Sequence, residues 1–244
     1  MSGTLDRIES VGFALVAGVF SPTDAGEIAD ALSATLQGHD AAAASVRTSK
    51  GTVYAARNIL DTWPPAREVW KRPDLITLLN AMLGREFGLV RALFFDKPPG
   101  RTWSLLWHKD LVIALVDNAL PSERFSCRNI KARVPHVEAP VEVLASMLTL
   151  RIHLDDVTDE NGPLMVIPGS HRAGKAAMAD PPPPVTIYAR RGDVLAMRPL
   201  VSHASGNSVA GTTLHRRVLH LEFAASPVLP DGFTWHTFLA NGGD

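Results

Sequence analysis

Leu148-Thr149-Leu150-Arg151-Ile152-His153-Leu154 alternates without a break between two kinds of side chain. Successive residues of a strand point to opposite faces, so Leu148, Leu150, Ile152 and Leu154 share one face while Thr149, Arg151 and His153 share the other. The pattern returns near the end of the chain, where Leu219, Leu221 and Phe223 oppose Arg216, Val218, His220 and Glu222. An alternating strand ordinarily turns its polar face to water. On these two strands that would expose a basic, imidazole-rich face twice over. The other arrangement packs the apolar faces under helices and turns the polar faces into a hydrated cavity between two sheets. We adopt this second arrangement. It puts Arg216 in the cavity register and the adjacent Arg217 on the opposite face.

Outward from these strands, the chain from Leu89 onward consists of short apolar runs broken by Gly, Pro and Asn. The runs cover roughly 89–96, 104–116, 147–155, 163–168, 185–189, 193–198, 200–206 and 214–224. About eight short strands in succession point to two facing sheets or a barrel of the jelly-roll class. The segment before them reads as strand, helix, loop, helix. Val11 to Phe20 is an apolar run taken as a strand, and Ser21-Pro22 supplies a cap and a first-turn proline. Ala25, Ile28, Ala29, Leu32 and Leu36 form one helical stripe. A second helix runs from Pro73 to Leu83 and stops at Gly84. Helices laid on one sheet's outer face give an α+β layer arrangement. Residues 117–147 show no clear periodicity and follow directly on the run 104–116, so we expect a loop that covers the cavity as a lid.

At 244 residues and 46% hydrophobic content the chain can bury one large core, and a single domain over 1–244 is expected. The balance of 24 basic and 25 acidic residues gives no electrostatic case for nucleic acid or an anionic membrane. One cysteine, Cys127, forms no intramolecular disulfide, which fits a reducing compartment and a cytoplasmic location. Val11–Phe20 is too short to span a bilayer.

His108-Lys109-Asp110 and the distant His203 carry the chemistry. Two imidazoles and a carboxylate are the donor set of a facial triad, which holds Fe(II) and leaves positions open. The stretch Trp107 to Leu115 reads as one apolar strand with His108 and Asp110 on one face and Lys109 turned away. Ser205 lies two residues beyond His203, so it shares that face. Ser205 and Arg216 could then grip a carboxylate beside the metal, the combination that a keto acid bound to iron requires. His136 and Arg133 in the segment 117–147, with His153 and His220 on the alternating strands, are candidate substrate contacts. His171 in Pro168-Gly169-Ser170-His171-Arg172 reads as a loop-shaping residue, and His39, His215 and His236 read as surface.

Several blocks in order resemble the phytanoyl-CoA dioxygenase family. They are Phe94-Phe95-Asp96-Lys97-Pro98-Pro99, Trp107-His108-Lys109-Asp110, Glu160-Asn161-Gly162-Pro163-Leu164, Ile167-Pro168-Gly169-Ser170-His171-Arg172, Gly192-Asp193-Val194 and the run from His203 to Arg216. The resemblance implies a double-stranded β-helix (a cupin-like jelly roll) using Fe(II), 2-oxoglutarate and O2, usually to hydroxylate a small molecule with release of succinate and CO2. It also implies His108, Asp110 and His203 as iron ligands. Arg216 and Ser205 would hold the distal carboxylate of 2-oxoglutarate. Arg151 and the upstream Arg57 match, by spacing, residues beside the cosubstrate. Asp110 speaks against halogenation, because halogenating relatives replace that carboxylate. Two rivals share the residues: a metal-dependent non-oxidative enzyme on the same barrel, and a metal or keto-acid sensor without turnover.

Overall fold

The computed structural model describes residues 2–38, 45–47, 51 and 53–242, and His39 lies outside them. The N-terminal part runs α1 (Ser2–Val11), β1 (Phe13–Val16), α2 (Pro22–Gln37), β2 (Ser45–Arg47), β3 (Val53–Ala56), α3 (Ile59–Thr62) and α4 (Pro73–Leu83). Ser21 Oγ accepts the Asp24 N–H at 3.0 Å and Pro22 opens α2, as its sequence foretold. Ala25, Ala29, Leu32 and Leu36 are buried on one side of that helix. Helix α4 ends where Gly84 adopts φ +84°. Helix α1 was not foreseen: its single fully buried residue, Ile8, leaves almost no stripe to read.

The strand region follows as β4 (Gly88–Phe95), β5 (Leu105–His108), β6 (Val112–Ala114), β7 (Ser126–Lys131), β8 (Val134–Glu138), a short α5 (Val141–Ala145) and β9 (Met147–His153). It continues with β10 (Leu164–Val166), β11 (Val185–Ile187), β12 (Val194–Met197), β13 (His203–Ser205), β14 (Val218–Ala224) and β15 (Leu239–Ala240). The main sheet has the order β1-β12-β9-β14-β4-β3-β2, with β15 also on β4, and every pairing is antiparallel. A second antiparallel sheet has the order β11-β10-β13-β5. A third, small sheet is β6-β8-β7.

The two alternating strands lie side by side at the centre of the main sheet, His220 opposite Arg151 and Leu221 opposite Leu150. Their apolar residues are buried under the helices in one core with Leu32, Leu75, Leu78 and Leu79. Trp70, Phe87 and Phe223 close that core with edge-on ring contacts, 5.1 to 5.9 Å between centroids. On the other face, Phe13, Leu195 and Met197 of the main sheet meet Leu164, Val166 and Ile187 of the second sheet. The sheets therefore face each other, and the polar residues of β9 and β14 point between them rather than to water.

Two sequence readings change. The stretch 107–115 is not one strand. β5 ends at His108 in the second sheet, and β6 begins at Val112 in the third. Lys109 ends the ladder by donating to three backbone carbonyls, Ser170 O, Gly174 O and Ala176 O, at 2.6 to 2.9 Å. The segment 117–147 is not a bare loop either. β7 and β8 form a hairpin against β6, and Phe125, Val137 and Leu144 are buried in a core with Ile113, Leu115 and Trp235. The hairpin tip, Ala132-Arg133, has positive φ at both residues, as a primed turn requires. Neither residue is glycine or asparagine, so the usual hairpin signal was missing.

Candidate active site

Pairing of β13 with β5 sets His203 directly opposite His108 and brings their rings to 4.2 Å between centroids. Asp110 sits just past the end of β5, where its N–H donates to Pro199 O at 3.0 Å. This anchors its carboxylate 3.9 Å from His108 Nε2 and 3.7 Å from His203 Nε2. One donor atom from each of the three residues lies within 4.8 Å of the others, a grouping able to hold a metal ion. The tautomers follow from the backbone. His108 Nδ1 contacts Leu106 O at 2.7 Å and His203 Nδ1 contacts Val201 O at 2.9 Å. A carbonyl only accepts, so each Nδ1 carries the proton and each Nε2 presents a lone pair towards Asp110.

Electrostatics keep His203 and Asp110 deprotonated. Burial holds His203 neutral and pushes its pKa down to about 4, against the pull of Asp110. Burial works against the charge of Asp110, but His203, His220, His108 and Arg151 outweigh it and bring its pKa down to about 2. Asp110 Oδ2 is buried and has no hydrogen-bond partner among the described residues.

A narrow cavity of about 60 Å³ runs from this triad between the sheets, lined by Leu93, Phe95, Trp103, Leu105, Leu164, Arg151, Ser205, Arg216 and His220 together with the triad. Arg216 is 3% exposed and makes no ion pair among the described residues, and its Nε has no partner. Burial first, then Arg151, pushes its pKa down to about 9. Arg151 Nη1 donates to His220 Nδ1 at 3.1 Å. That leaves the proton of His220 on Nε2, which donates to Glu222 Oε1 at 3.2 Å. Glu222 in turn takes a bidentate pair from Arg91 at 2.6 and 2.9 Å. Arg151 is thus oriented by a buried chain of partners, while Arg216 has no ion-pair partner among the described residues and only the more distant Asp96 favours its charge.

The other candidates lie elsewhere. His153 is buried behind the cavity lining, and neither ring nitrogen has a partner. Arg57 follows β3 and does not line the cavity; Arg91 and Glu222 act on its charge. His136 is buried in the third sheet with Nδ1 against Val134 O at 2.8 Å, and Arg133 is exposed at the hairpin tip, so neither reaches the triad. His171 is half-buried, His215 pairs with Asp96 at 3.0 Å and His236 is exposed. Sequence reasoning passed over Arg91, Trp103 and Lys97, and placed Glu222 on the cavity face without giving it a role. Lys97 is fully buried in a motif that was quoted without assigning it a role.

Comparison with solved structures returns proteins of the same fold. AviO1 from Streptomyces viridochromogenes Tue57 superposes with a TM-score of 0.65 at 20% identity, covering 94% of this chain and 96% of that one. EctD from S. alaskensis, solved with 2-oxoglutarate and 5-hydroxyectoine, gives 0.66 at 19% identity over 92% of this chain and 76% of that one. The epimerase SnoN, solved with Fe3+, alpha ketoglutarate and nogalamycin RO, gives 0.63 at 20% identity over 95% and 86%. Of the cofactors expected from the sequence, iron and 2-oxoglutarate are both bound in this SnoN structure, and 2-oxoglutarate in this EctD structure. A search of curated proteins found no match. The family model for phytanoyl-CoA dioxygenase (PhyH) matches residues 8–217, a span that holds the triad, Arg151, Ser205 and Arg216, and the chain belongs to that family.

Proposed function

We propose that this protein is an Fe(II)- and 2-oxoglutarate-dependent dioxygenase that hydroxylates a small molecule and releases succinate and CO2. The facing main and second sheets support reading its core as a double-stranded β-helix. The observation that carries the proposal is the pairing of two opposite features in one cavity. At one end are a neutral imidazole and an ionised carboxylate with a buried, unpartnered oxygen. At the other is a buried guanidinium with an unpartnered Nε and no ion pair among the described residues. A buried charge left unpaired is costly, so each end is built for an absent partner of opposite sign. A divalent cation fits the first and a carboxylate the second, and 2-oxoglutarate is an acid that also chelates iron.

In this reading His108, Asp110 and His203 hold Fe(II), which supplies the oxygen chemistry when bound. Arg216 and Ser205 bind the distal carboxylate and so set the depth to which the cosubstrate enters. Arg151 lies within electrostatic reach of Asp110 and, held by His220, gives the cavity wall beside the metal a fixed positive charge. The apolar lining from Leu93, Phe95, Leu105 and Leu164 keeps bulk water from the reacting centre. Without a keto acid to bind, Arg216 would be a pure cost, which weighs against a non-oxidative metal enzyme.

Oxygen uptake coupled one-to-one to succinate formation tests the reading, and one oxygen atom from O2 in the product tests hydroxylation. SnoN is an epimerase, so a product of unchanged composition would replace hydroxylation with an isomerisation. Asp110→Ala is expected to abolish tight Fe(II) binding. If 2-oxoglutarate binds but is never consumed with any small molecule, the sensor reading takes over.

A further inference from the structure

Beyond His220 the inner face of the main sheet carries a second group of charges. Glu222 lies opposite Arg91, as His220 lies opposite Leu93. Arg57, two residues past Ala55, keeps the face that Ala55 shares with Phe95. The third sheet closes over this group. On its hairpin Asn129 stands opposite His136 and Lys131 opposite Val134, all on one face, while Ile130 and Pro135 share the other. His136 and Val134 are buried and Ile130 is exposed, so the face with Lys131 is turned to the main sheet. Asn58 Nδ2 fastens the tip by donating to Ala132 O at 3.1 Å, and both residues are chain neighbours of the cations Arg57 and Lys131. Arg57, Arg91 and Lys131 therefore meet across one seam, each half-buried. Their fields overlap: burial, then Arg57 and Arg91, lowers the Lys131 pKa, and burial, then Arg91, lowers that of Arg57 against the pull of Glu222. Glu222 is already taken by Arg91 and His220. Neither Arg57 nor Lys131 makes an ion pair among the described residues.

We propose that this seam binds the acid group of the substrate, a dianion of the phosphate-monoester kind, through Arg57, Lys131 and Arg91. The proposal rests on the 2-oxoglutarate reading above and gives it a substrate class. Along β14 the inner face runs Arg216, Val218, His220, Glu222. His220 and Arg151, which act on the charge of Asp110, thus stand between the seam and the end where Arg216 waits for the cosubstrate. One further pleat repeat along the strand is about 7 Å, a span that a small phosphorylated metabolite bridges while its other end faces the metal. Charge selects the group. Three cations against one carboxylate leave two positive charges, and His136, which burial holds neutral with a pKa of about 4, adds none. A dianion matches that surplus, whereas a monoanion leaves one half-buried charge unpaired. Arg57 serves the substrate in this arrangement and not the cosubstrate, contrary to what spacing alone implied.

The test uses protein saturated with 2-oxoglutarate and holding Co(II), a paramagnetic stand-in for Fe(II), in the triad. The probe is methylphosphonate, above the pH of its second ionisation, with acetate and the neutral dimethyl ester for comparison. Calorimetry at constant ionic strength is expected to show saturable methylphosphonate binding, weaker binding of acetate and none of the ester. Arg57→Met and Lys131→Met are each expected to weaken methylphosphonate about 10- to 100-fold, the range for a hydrogen bond to a charged group, and to change 2-oxoglutarate by less than about 3-fold. Lys131→Met, on the hairpin, carries the test if Arg57→Met does not fold. Ile130→Gln, on the opposite face of the same strand, is expected to leave the affinity within about 2-fold, as for an exposed position. Phosphorus NMR relaxation is expected to place the probe about 6–12 Å from the cobalt, one to two pleat repeats away. No methylphosphonate binding, acetate bound as tightly, or a probe that coordinates the cobalt each overturns the proposal. So does a loss in Ile130→Gln equal to that in Lys131→Met, or an Arg57→Met variant that weakens 2-oxoglutarate in place of the probe. Wild-type protein that binds methylphosphonate as described but never 2-oxoglutarate overturns instead the cosubstrate reading.

Discussion

Arg216 and Arg217 are adjacent, chemically identical and differently employed. Strand parity turns Arg216 into the cavity without a partner, while Arg217 grips Asp155 through Nε at 2.9 Å and Nη2 at 2.8 Å, its own N–H adding a third bond to the same carboxylate. Two opposite outcomes follow. Arg216→Ala is expected to weaken 2-oxoglutarate at least 10-fold, the effect of losing a hydrogen bond to a charged group. It should also leave the ligand-free protein as stable or more stable, because a buried unpaired charge is gone. Arg217→Ala is expected to cost about 1.5–3 kcal/mol of stability by removing the two guanidinium bonds to Asp155, which keeps Arg191 and the residue-217 N–H, with 2-oxoglutarate affinity within about 3-fold of wild type. Calorimetry and thermal melts on the two variants check this. A reversed pattern would mean that β14 runs one residue out of the register described here. At this scale the sequence was legible: period-two alternation is local and needs no knowledge of which strand lies alongside. Lys97 was not legible, because nothing in Asp96-Lys97-Pro98-Pro99 shows that its ammonium meets Ser205 across 108 positions of chain.

At the scale of elements, the segment 117–147 separates what patterning reveals from what packing decides. Its hairpin is short and half exposed, Ile130 standing 71% open to solvent, so the strands carry no clean alternation. What holds them is distant: Phe125 and Val137 pack on Trp235 and Phe233, and Asn58 Nδ2 donates to Ala132 O at the tip. The expected consequence is a stable sheet in the absence of any ligand. Backbone amides of Ile113 and Val137 should exchange with solvent as slowly as those of β9, and Val137→Ala should cost about 1–3 kcal/mol, as for a buried aliphatic truncation. Exchange at the rate of a free loop would restore the lid expected from the sequence. The division of 107–115 into β5 and β6 has the same origin. The three carbonyls that fix Lys109 and the one that anchors Asp110 all lie more than fifty residues downstream.

Over the whole molecule, buried imidazoles link folding to pH. Burial leads the causes that push His136 down to about 4, and burial with Arg151 and Arg216 pushes His153 down to about 3. Both folded-state values lie below the ordinary value of 6.5, so the unfolded chain takes up protons first as the pH falls. Their contribution to stability is therefore complete above about pH 6.5 and is lost progressively down to about pH 3–4, at roughly 1.4 kcal/mol per pH unit for each histidine. Denaturant midpoints should fall between pH 7 and pH 5, and His153→Gln should flatten the slope. Midpoints constant over that interval would contradict the burial described. The sequence by itself determined the helical stripe of α2, the two faces of β9 and β14, and the opposite sides on which Arg216 and Arg217 lie. All of these depend on spacings within a few residues. Only the tertiary structure decided that Arg151 and Arg216 share one void, that Glu222 pairs with Arg91, and that His136 stays outside the cavity. Those are matters of which strands pair and which loops close. Charge and burial depend on the distances that long-range pairing creates, and such distances leave no period in the chain.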